Sequence, residues 1–212
     1  IAGAGAVDPD AVVARVVDAF AAMPEGDGRV ARDAPTGTGA SVEVDDDTEQ
    51  VHLVVGGRSI ARSDPDREAL DVVNHVLGGG LSSRLFDEIR ERRGLAYSVF
   101  SSSAAYADSG MWSVYAGSLP EHAAEVQRLV GAEIARLVAD GITPDELDIA
   151  QGYLAGSYEM GLEDSGARMS RLGGQLTVLG RLRSIEEQIE RWQAVTLDDT
   201  RRVIERVYAT PA

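Results

Sequence analysis

The chain has 212 residues, of which 35 are acidic and 20 are basic, so its formal net charge at pH 7 is −15. This charge disfavours binding to nucleic acid or to anionic membrane surfaces, and no apolar run approaches the ~18 residues of a transmembrane helix. Cysteine is absent and every basic residue is arginine. Disulfides, thiolate metal ligands, and phosphate loops or Schiff bases that need lysine are therefore excluded.

The first 24 residues are predicted to form a short apolar strand, Ile1 to Val7, and then a helix. Asp8 is a suitable N-cap, Pro9 is a suitable first helical residue, and apolar side chains follow at helical spacing. Residues 25–48 are acidic and rich in glycine, which is typical of an exposed linker. The main domain is then expected to span residues 49–212.

The main domain is predicted to begin with a strand near Val51 that is buried largely on both faces. A helix should start at Ser63 or Asp64, before Pro65, and its apolar stripe comprises Leu70, Val73, Val76 and Leu77. The three glycines of residues 78–80 end it, and a second helix is predicted from about residue 82 to residue 93, with Gly94 at its end.

The remaining pattern predicts a hairpin of strands over residues 96–106 and 110–118. Five helices should follow, over residues 120–140, 144–160, 164–180, 185–194 and 197–208. This order of elements predicts an α+β fold in which a few-stranded, largely antiparallel or mixed sheet packs against several helices.

Three histidines are the natural starting point for a metal site, and they lie at His52, His75 and His122. None has a second histidine three or four residues away, so no helix presents two imidazoles on one face as a zinc helix does. The glycines of residues 78–80 follow a helix rather than a strand and fit no dinucleotide fingerprint, which favours a turn between helices.

The block from Gly80 to Val99 has two interpretations. As an ordinary amphipathic helix it pairs Glu88 with Arg92 at i,i+4 and Asp87 with Arg90 at i,i+3, and it leaves Tyr97 as an aromatic residue in a strand. The same block, however, resembles a signature of the C-terminal domain of pitrilysin/insulinase-type zinc metallopeptidases, and in particular of their processing-peptidase-like members.

The resemblance extends over about residues 48–208. Further stretches that resemble the family, in order, are Asp64-Pro65-Asp66-Arg67, Tyr106-Ala107-Asp108-Ser109-Gly110, Gly141-Ile142-Thr143-Pro144-Asp145-Glu146-Leu147 and Ala194-Val195-Thr196. Many ordered landmarks over this length are far more specific than one short motif.

The resemblance implies an enzyme of two similar α+β halves that close around an extended peptide. The catalytic zinc is then bound by the H-x-x-E-H helix of the N-terminal half, which this chain lacks, so the chain should bind no zinc and be inactive alone. Residues 1–24 would be the end of that N-terminal half. The implied partners are the zinc-binding half or a homologous subunit and a peptide substrate. A homodimer is an open possibility, and a cytoplasmic location is expected.

Active members carry an arginine and a tyrosine seven residues apart, and Arg90 and Tyr97 match that spacing and context. The resemblance implies that both contact the substrate carbonyl and backbone in the assembled enzyme. Such donors can stabilise the oxyanion that forms during peptide hydrolysis.

Two alternatives remain open at this point. The chain could be a non-catalytic structural or assembly subunit that shares the fold, or the zinc-free subunit of a two-subunit processing peptidase.

Overall fold

The computed structural model describes residues 1–26, 33–36 and 39–209. Within these residues the strands are β1 (Val51–Ser59), β2 (Ala96–Ala105) and β3 (Gly110–Ser118). The α-helices are α1 (Pro9–Phe20), α2 (Arg67–Asn74), α3 (Ala123–Asp140), α4 (Pro144–Gly161), α5 (Ser165–Leu179), α6 (Ile185–Gln193) and α7 (Leu197–Val207). Two π-helical segments, His75–Gly79 and Phe86–Glu91, and a 3₁₀ turn, Pro120–His122, complete the regular structure.

The three strands form one antiparallel sheet in the order β1-β3-β2. β2 and β3 are joined by residues 106–109, and the Tyr106 N–H donates to the Ser109 carbonyl at 2.8 Å inside this connection. The predicted hairpin and the predicted α+β class are confirmed, with a sheet that is antiparallel throughout.

The helices cover one face of the sheet, and alternate residues of β3 point into the core that they form. Trp112, Val114 and Ala116 are buried, whereas Met111 is exposed. The apolar stripe predicted for α2 and its continuation is buried: Leu70, Val73, Val76 and Leu77. The inner faces of α3 (Val126 and Val130) and α7 (Val203 and Ile204) are buried as well.

Three sequence predictions require correction. Residues 1–7 form no strand, because this segment of alanine and glycine has low strand propensity and no described strand pairs with it. β1 is not buried on both faces, since helices cover only one of them and Val54 is 65% exposed. Finally, α2 begins at Arg67, because the Asp64 carboxylate accepts the Asp66 N–H at 2.9 Å and holds a turn before the helix.

The helix of residues 9–20 is confirmed, with the Asp8 carboxylate capping the N–H groups of Asp10 and Ala11. The linker prediction lies partly outside the described residues. Its described residues, 25–26, 33–36 and 39–48, contain no helix or strand.

A buried carboxylate in the first turn of α2 joins the helix to the C-terminal part of the chain. The Glu68 side chain is only 5% exposed, and Arg191 of α6 binds both of its oxygens at 2.8 Å. Arg183, just before α6, adds a second ion pair at 2.7 Å. Burial alone would raise the pKa of Glu68, but these guanidinium groups bring it below its usual value.

A second buried carboxylate lies two residues earlier. Asp66, whose side chain is also 5% exposed, binds Arg202 of α7 at 2.6 Å and pairs with Arg206 as well. The hydrogen bond from Arg202 lowers the pKa of Asp66 against the opposing effect of burial. The start of α2 is therefore attached to both α6 and α7 by charge-assisted hydrogen bonds.

We expect Glu68→Gln to lower the free energy of unfolding by about 3 kcal/mol, because it leaves two largely enclosed guanidinium groups without a carboxylate. Urea unfolding of the chain measures this value. The matched control is Glu125→Gln, which removes an exposed pair with Arg128 and should change the free energy of unfolding far less, because solvent screens an exposed pair. Equal losses in the two variants would contradict the structural role of Glu68.

We also expect stability to fall on acidification. The pKa values of Asp66 and Glu68 are lowered in the folded state, and hydrogen bonds from Thr196 and Arg202 lower the pKa of Asp199 to about 2. The unfolded state therefore binds more protons, so the stabilisation is complete above the unfolded pKa values of about 4 and is lost as the pH falls through the folded ones.

Urea unfolding at a series of pH values between about 5 and 2 measures this loss, and Asp199→Asn should reduce its slope. A free energy of unfolding that stays constant over this range would contradict the expectation.

Candidate functional site

A cleft of about 500 Å³ opens at the end of the sheet, between β2, the two π-helical segments and α4. Its walls come from four parts of the chain, and the lining residues are His75, Gly78, Gly79, Gly80, Leu81, Ser82, Phe86, Arg90, Ser98, Val99, Phe100 and Tyr153. π-helical turns are rare and are frequent at functional sites. Here both of the π-helical segments found in the described residues line one cleft.

Arg90 lies in the segment Phe86–Glu91, and its guanidinium carbon is 4.9 Å from the centre of the Phe86 ring. This cation–π contact holds the side chain over the cleft. Arg90 makes no ion pair with any described residue, although acidic residues lie close to it in the sequence.

The neighbouring arginines take the acidic partners instead. Arg92 binds Asp87 at 2.8 Å and Arg93 binds Glu88 at 2.6 Å, so both pairs are five residues apart. A π-helix hydrogen-bonds residue i to residue i+5, which brings those positions onto one face. The i,i+3 pair expected between Asp87 and Arg90 is therefore absent, and the i,i+4 contact of Glu88 with Arg92 is only a long one, at 3.9 Å.

Tyr97 lies at an irregularity of β2. Ala96 is opposite Ser118 and Ser98 is opposite Gly117, so the register shifts across Tyr97. A bulge of this kind redirects a side chain, and Tyr97 is 80% exposed. The structure thus places Arg90 in the wall of the cleft and Tyr97 beside Ser98, another wall residue, while Tyr97 itself does not line the cleft.

Gly94 makes the turn between the two residues. Its φ of +64° is one that residues other than glycine rarely adopt, and its N–H donates to the Arg90 carbonyl at 3.0 Å. The predicted glycine turn is confirmed.

An arginine–carboxylate pair fixes the segment that carries Arg90. The Arg84 guanidinium donates from Nε to Glu146 Oε1 at 2.6 Å and from Nη2 to Oε2 at 2.7 Å. Glu146 also completes the capping box of α4 by accepting the Thr143 N–H at 2.8 Å. Burial would raise the pKa of Glu146, but the hydrogen bonds from Arg84 and Thr143 lower it.

The glycines of residues 78–80 form a tightly packed wall of the cleft, whereas the sequence predicted only a turn between helices. A Cβ on Gly78 would lie 2.4 Å from the Ser101 backbone nitrogen, and one on Gly80 would lie 2.7 Å from His75 Cε1. The His75 ring stacks on Tyr153 with ring centres 4.2 Å apart, and burial lowers its pKa. Sequence reasoning considered His75 only as a metal ligand and did not single out Tyr153, because each is an isolated residue on a helix.

Within the described residues, no group of histidine and acidic side chains is arranged to hold a metal ion. The residues therefore do not fit a catalytic zinc. No helix in the described part of the chain has the length and hydrophobicity needed to cross a membrane.

Residues 1–154 match the profile of the peptidase M16 inactive domain, so the chain belongs to the peptidase M16 family. The resemblance to pitrilysin-type peptidases is thereby confirmed.

Individual relatives support the same family assignment. The chain is 43% identical to an uncharacterised zinc protease of Mycobacterium tuberculosis, over 96% of this chain and 48% of that protein. A zinc protease of Streptomyces coelicolor is 40% identical over 96% of this chain and 46% of its own length. The crystal structure of a peptidase M16 inactive domain from Pseudomonas fluorescens matches with a TM-score of 0.84 and 26% identity, over 95% of this chain and 48% of that chain. This chain spans about half the length of each.

We expect Gly78→Ala to destabilise the fold by about 2 kcal/mol, because the new methyl group meets the β2 backbone and neither element can yield easily. Thermal or urea unfolding measures the effect. The control is Gly152→Ala in α4, where a Cβ has nothing within 4 Å and should stabilise the helix by about 0.5–1 kcal/mol. A neutral Gly78→Ala variant would show that the wall is not tightly packed.

Proposed function

We propose that this chain is the half of a zinc metallopeptidase that does not hold the metal. In this role it helps to enclose an extended peptide and presents Arg90 and Tyr97 to the peptide backbone. One observation carries the proposal: Arg90 lines the cleft without a carboxylate partner among the described residues, while Arg92 and Arg93 beside it are both paired.

The chemistry of peptide hydrolysis gives these two groups a task. Attack of water on a peptide carbonyl places negative charge on the carbonyl oxygen. A guanidinium and a phenolic hydroxyl are hydrogen-bond donors that can stabilise this charge and hold the peptide extended. An arginine already paired with aspartate would be a weaker donor to the substrate. The absence of an ion pair between Arg90 and Asp87 therefore favours this role for Arg90.

The zinc belongs to the other half in this proposal. The relatives named zinc proteases are about twice as long as this chain, and the described residues offer no group that fits the ion. When bound there, zinc would activate the attacking water. This chain contributes substrate binding and charge stabilisation only.

The division of the chain is also part of the proposal. Residues 1–24 belong to the zinc-binding half and residues 25–48 link it to the domain of residues 49–212. The first helix supports this, because none of its residues is buried and Val13, Val17 and Phe20 are 60%, 65% and 49% exposed. A helix with an exposed apolar stripe requires a further surface to pack on.

In the full-length protein, we expect Arg90→Ala and Tyr97→Phe each to lower kcat/KM by about 10²–10³, which is the usual effect of removing one donor to an oxyanion. Hydrolysis of a short fluorogenic peptide measures this loss. Arg90→Lys should not restore full activity, because an ammonium cannot reproduce the planar set of donors of a guanidinium.

Matched controls are Arg128→Ala, which removes an exposed arginine of α3 that pairs with Glu125, and Tyr106→Phe at the hairpin tip, where the tyrosine is 56% exposed. Both should remain active, and all variants should keep the melting temperature and zinc content of the parent. Full activity of both Arg90→Ala and Tyr97→Phe would overturn the assigned roles. An inactive parent would favour the assembly subunit, and activity that appears only with a second chain would favour the two-subunit peptidase.

A further inference from the structure

A second cleft, of about 290 Å³, lies between the start of α2, α5 and α6. Four arginines line it although the chain carries a net charge of −15: Arg62, Arg67, Arg171 and Arg183. The activity proposed above uses none of these residues.

The carboxylates in this cleft do not balance its arginines. Asp71 pairs with Arg67 at 2.7 Å, and Glu68 is shared between Arg183 and Arg191. Burial raises the pKa of Asp71, which disfavours its charged form.

Two of the lining arginines have no carboxylate partner among the described residues. Arg62 has no side-chain hydrogen bond recorded with them, and Arg171 donates only to neutral oxygens, the Tyr158 hydroxyl and the Arg183 carbonyl. The buried Nε of Arg183 also has no acceptor. The cleft therefore holds an excess of guanidinium donors that an anionic ligand would satisfy.

We propose that this cleft binds the carboxylate group of an acidic peptide. A guanidinium fork matches a carboxylate with two parallel hydrogen bonds. Tyr158, Leu179 and Trp192 also line the cleft and give apolar surface for the hydrocarbon part of such a ligand, which inorganic phosphate lacks. The volume equals that of about ten waters, which is ample for an acidic side chain.

The position of the cleft favours a peptide as the source of the carboxylate. A third cleft, of about 320 Å³, shares Arg67, Asp71 and Trp192 with it, and shares His75, Gly79 and Tyr153 with the Arg90 cleft. The three clefts are thus neighbours along one side of the domain. The choice of a peptide rests on the proposed function, whereas the binding of a carboxylate does not.

Binding to the 212-residue chain tests the proposal without any need for catalysis. The probes are fluorescently labelled, N-acetylated tetraglutamate amide and its tetraglutamine counterpart, titrated in low-salt buffer. We expect the glutamate peptide to bind at least about tenfold more tightly, since a hydrogen bond to a charged group contributes about that factor. Arg62→Gln and Arg171→Gln should each weaken its binding about tenfold or more.

Arg58→Gln is the matched control, because Arg58 is an exposed arginine on β1 that has no ion pair with a described residue. It should bind the glutamate peptide like the parent, and unaltered melting curves should show that all variants are folded. Equal binding of the two peptides, or an equal loss in Arg58→Gln, would overturn the proposal. If inorganic phosphate binds as tightly as the glutamate peptide, the site takes free oxyanions and the assignment to a peptide is wrong.

Discussion

The attachment of the start of α2 to the C-terminal helices is the interaction on which the rest of the structure depends. Asp66 and Glu68 are buried in a negatively charged protein, and they are stable there because Arg183, Arg191, Arg202 and Arg206 surround them. Carboxylates at a helix N-terminus are also favoured by the helix dipole. This contact fixes α2, which continues directly into the π-helical segment and the glycine stretch that form one wall of the Arg90 cleft. Loss of the buried ion pairs would therefore disturb the candidate site, because α2 and this wall of the cleft are one continuous segment of backbone.

The opposite wall depends on a second fork of the same kind. Arg84 joins the segment carrying Arg90 to Glu146, and through Glu146 to the capping box at the start of α4. Lysine could not replace either fork, because its single ammonium cannot bind both carboxylate oxygens in a fixed plane. A chain whose only basic residue type is arginine is consistent with a fold in which distant helices are joined by two-point contacts. The candidate cleft and the stability of the fold thus both rely on arginine–carboxylate pairs with two hydrogen bonds.

The elements that could be predicted from the sequence are those set by local rules. The turn at Gly94, the capping box of Thr143 and Glu146, the hairpin and the helices of the C-terminal half all follow from a few adjacent residues. The partners of Asp66 and Glu68 could not be predicted, since they lie 115 to 140 residues away. The pair predicted between Asp87 and Arg90 was wrong for a different reason. The i,i+3 rule assumes an α-helix, whereas here Asp87 pairs with Arg92, five residues away, and the predicted contact of Glu88 with Arg92 is present but long, at 3.9 Å.

This shift connects local backbone geometry with function. If Phe86–Glu91 were an ordinary α-helix, Asp87 would lie close to Arg90 and neutralise it. With the wider turn, Asp87 pairs with Arg92 and Glu88 with Arg93. The Arg90 guanidinium then lies over the Phe86 ring and lines the cleft. The net charge of −15 repels an acidic ligand only over about a Debye length, some 8–10 Å in physiological salt. At shorter range the proposed ligands would meet the arginines that lack a carboxylate partner among the described residues, and such arginines line both clefts.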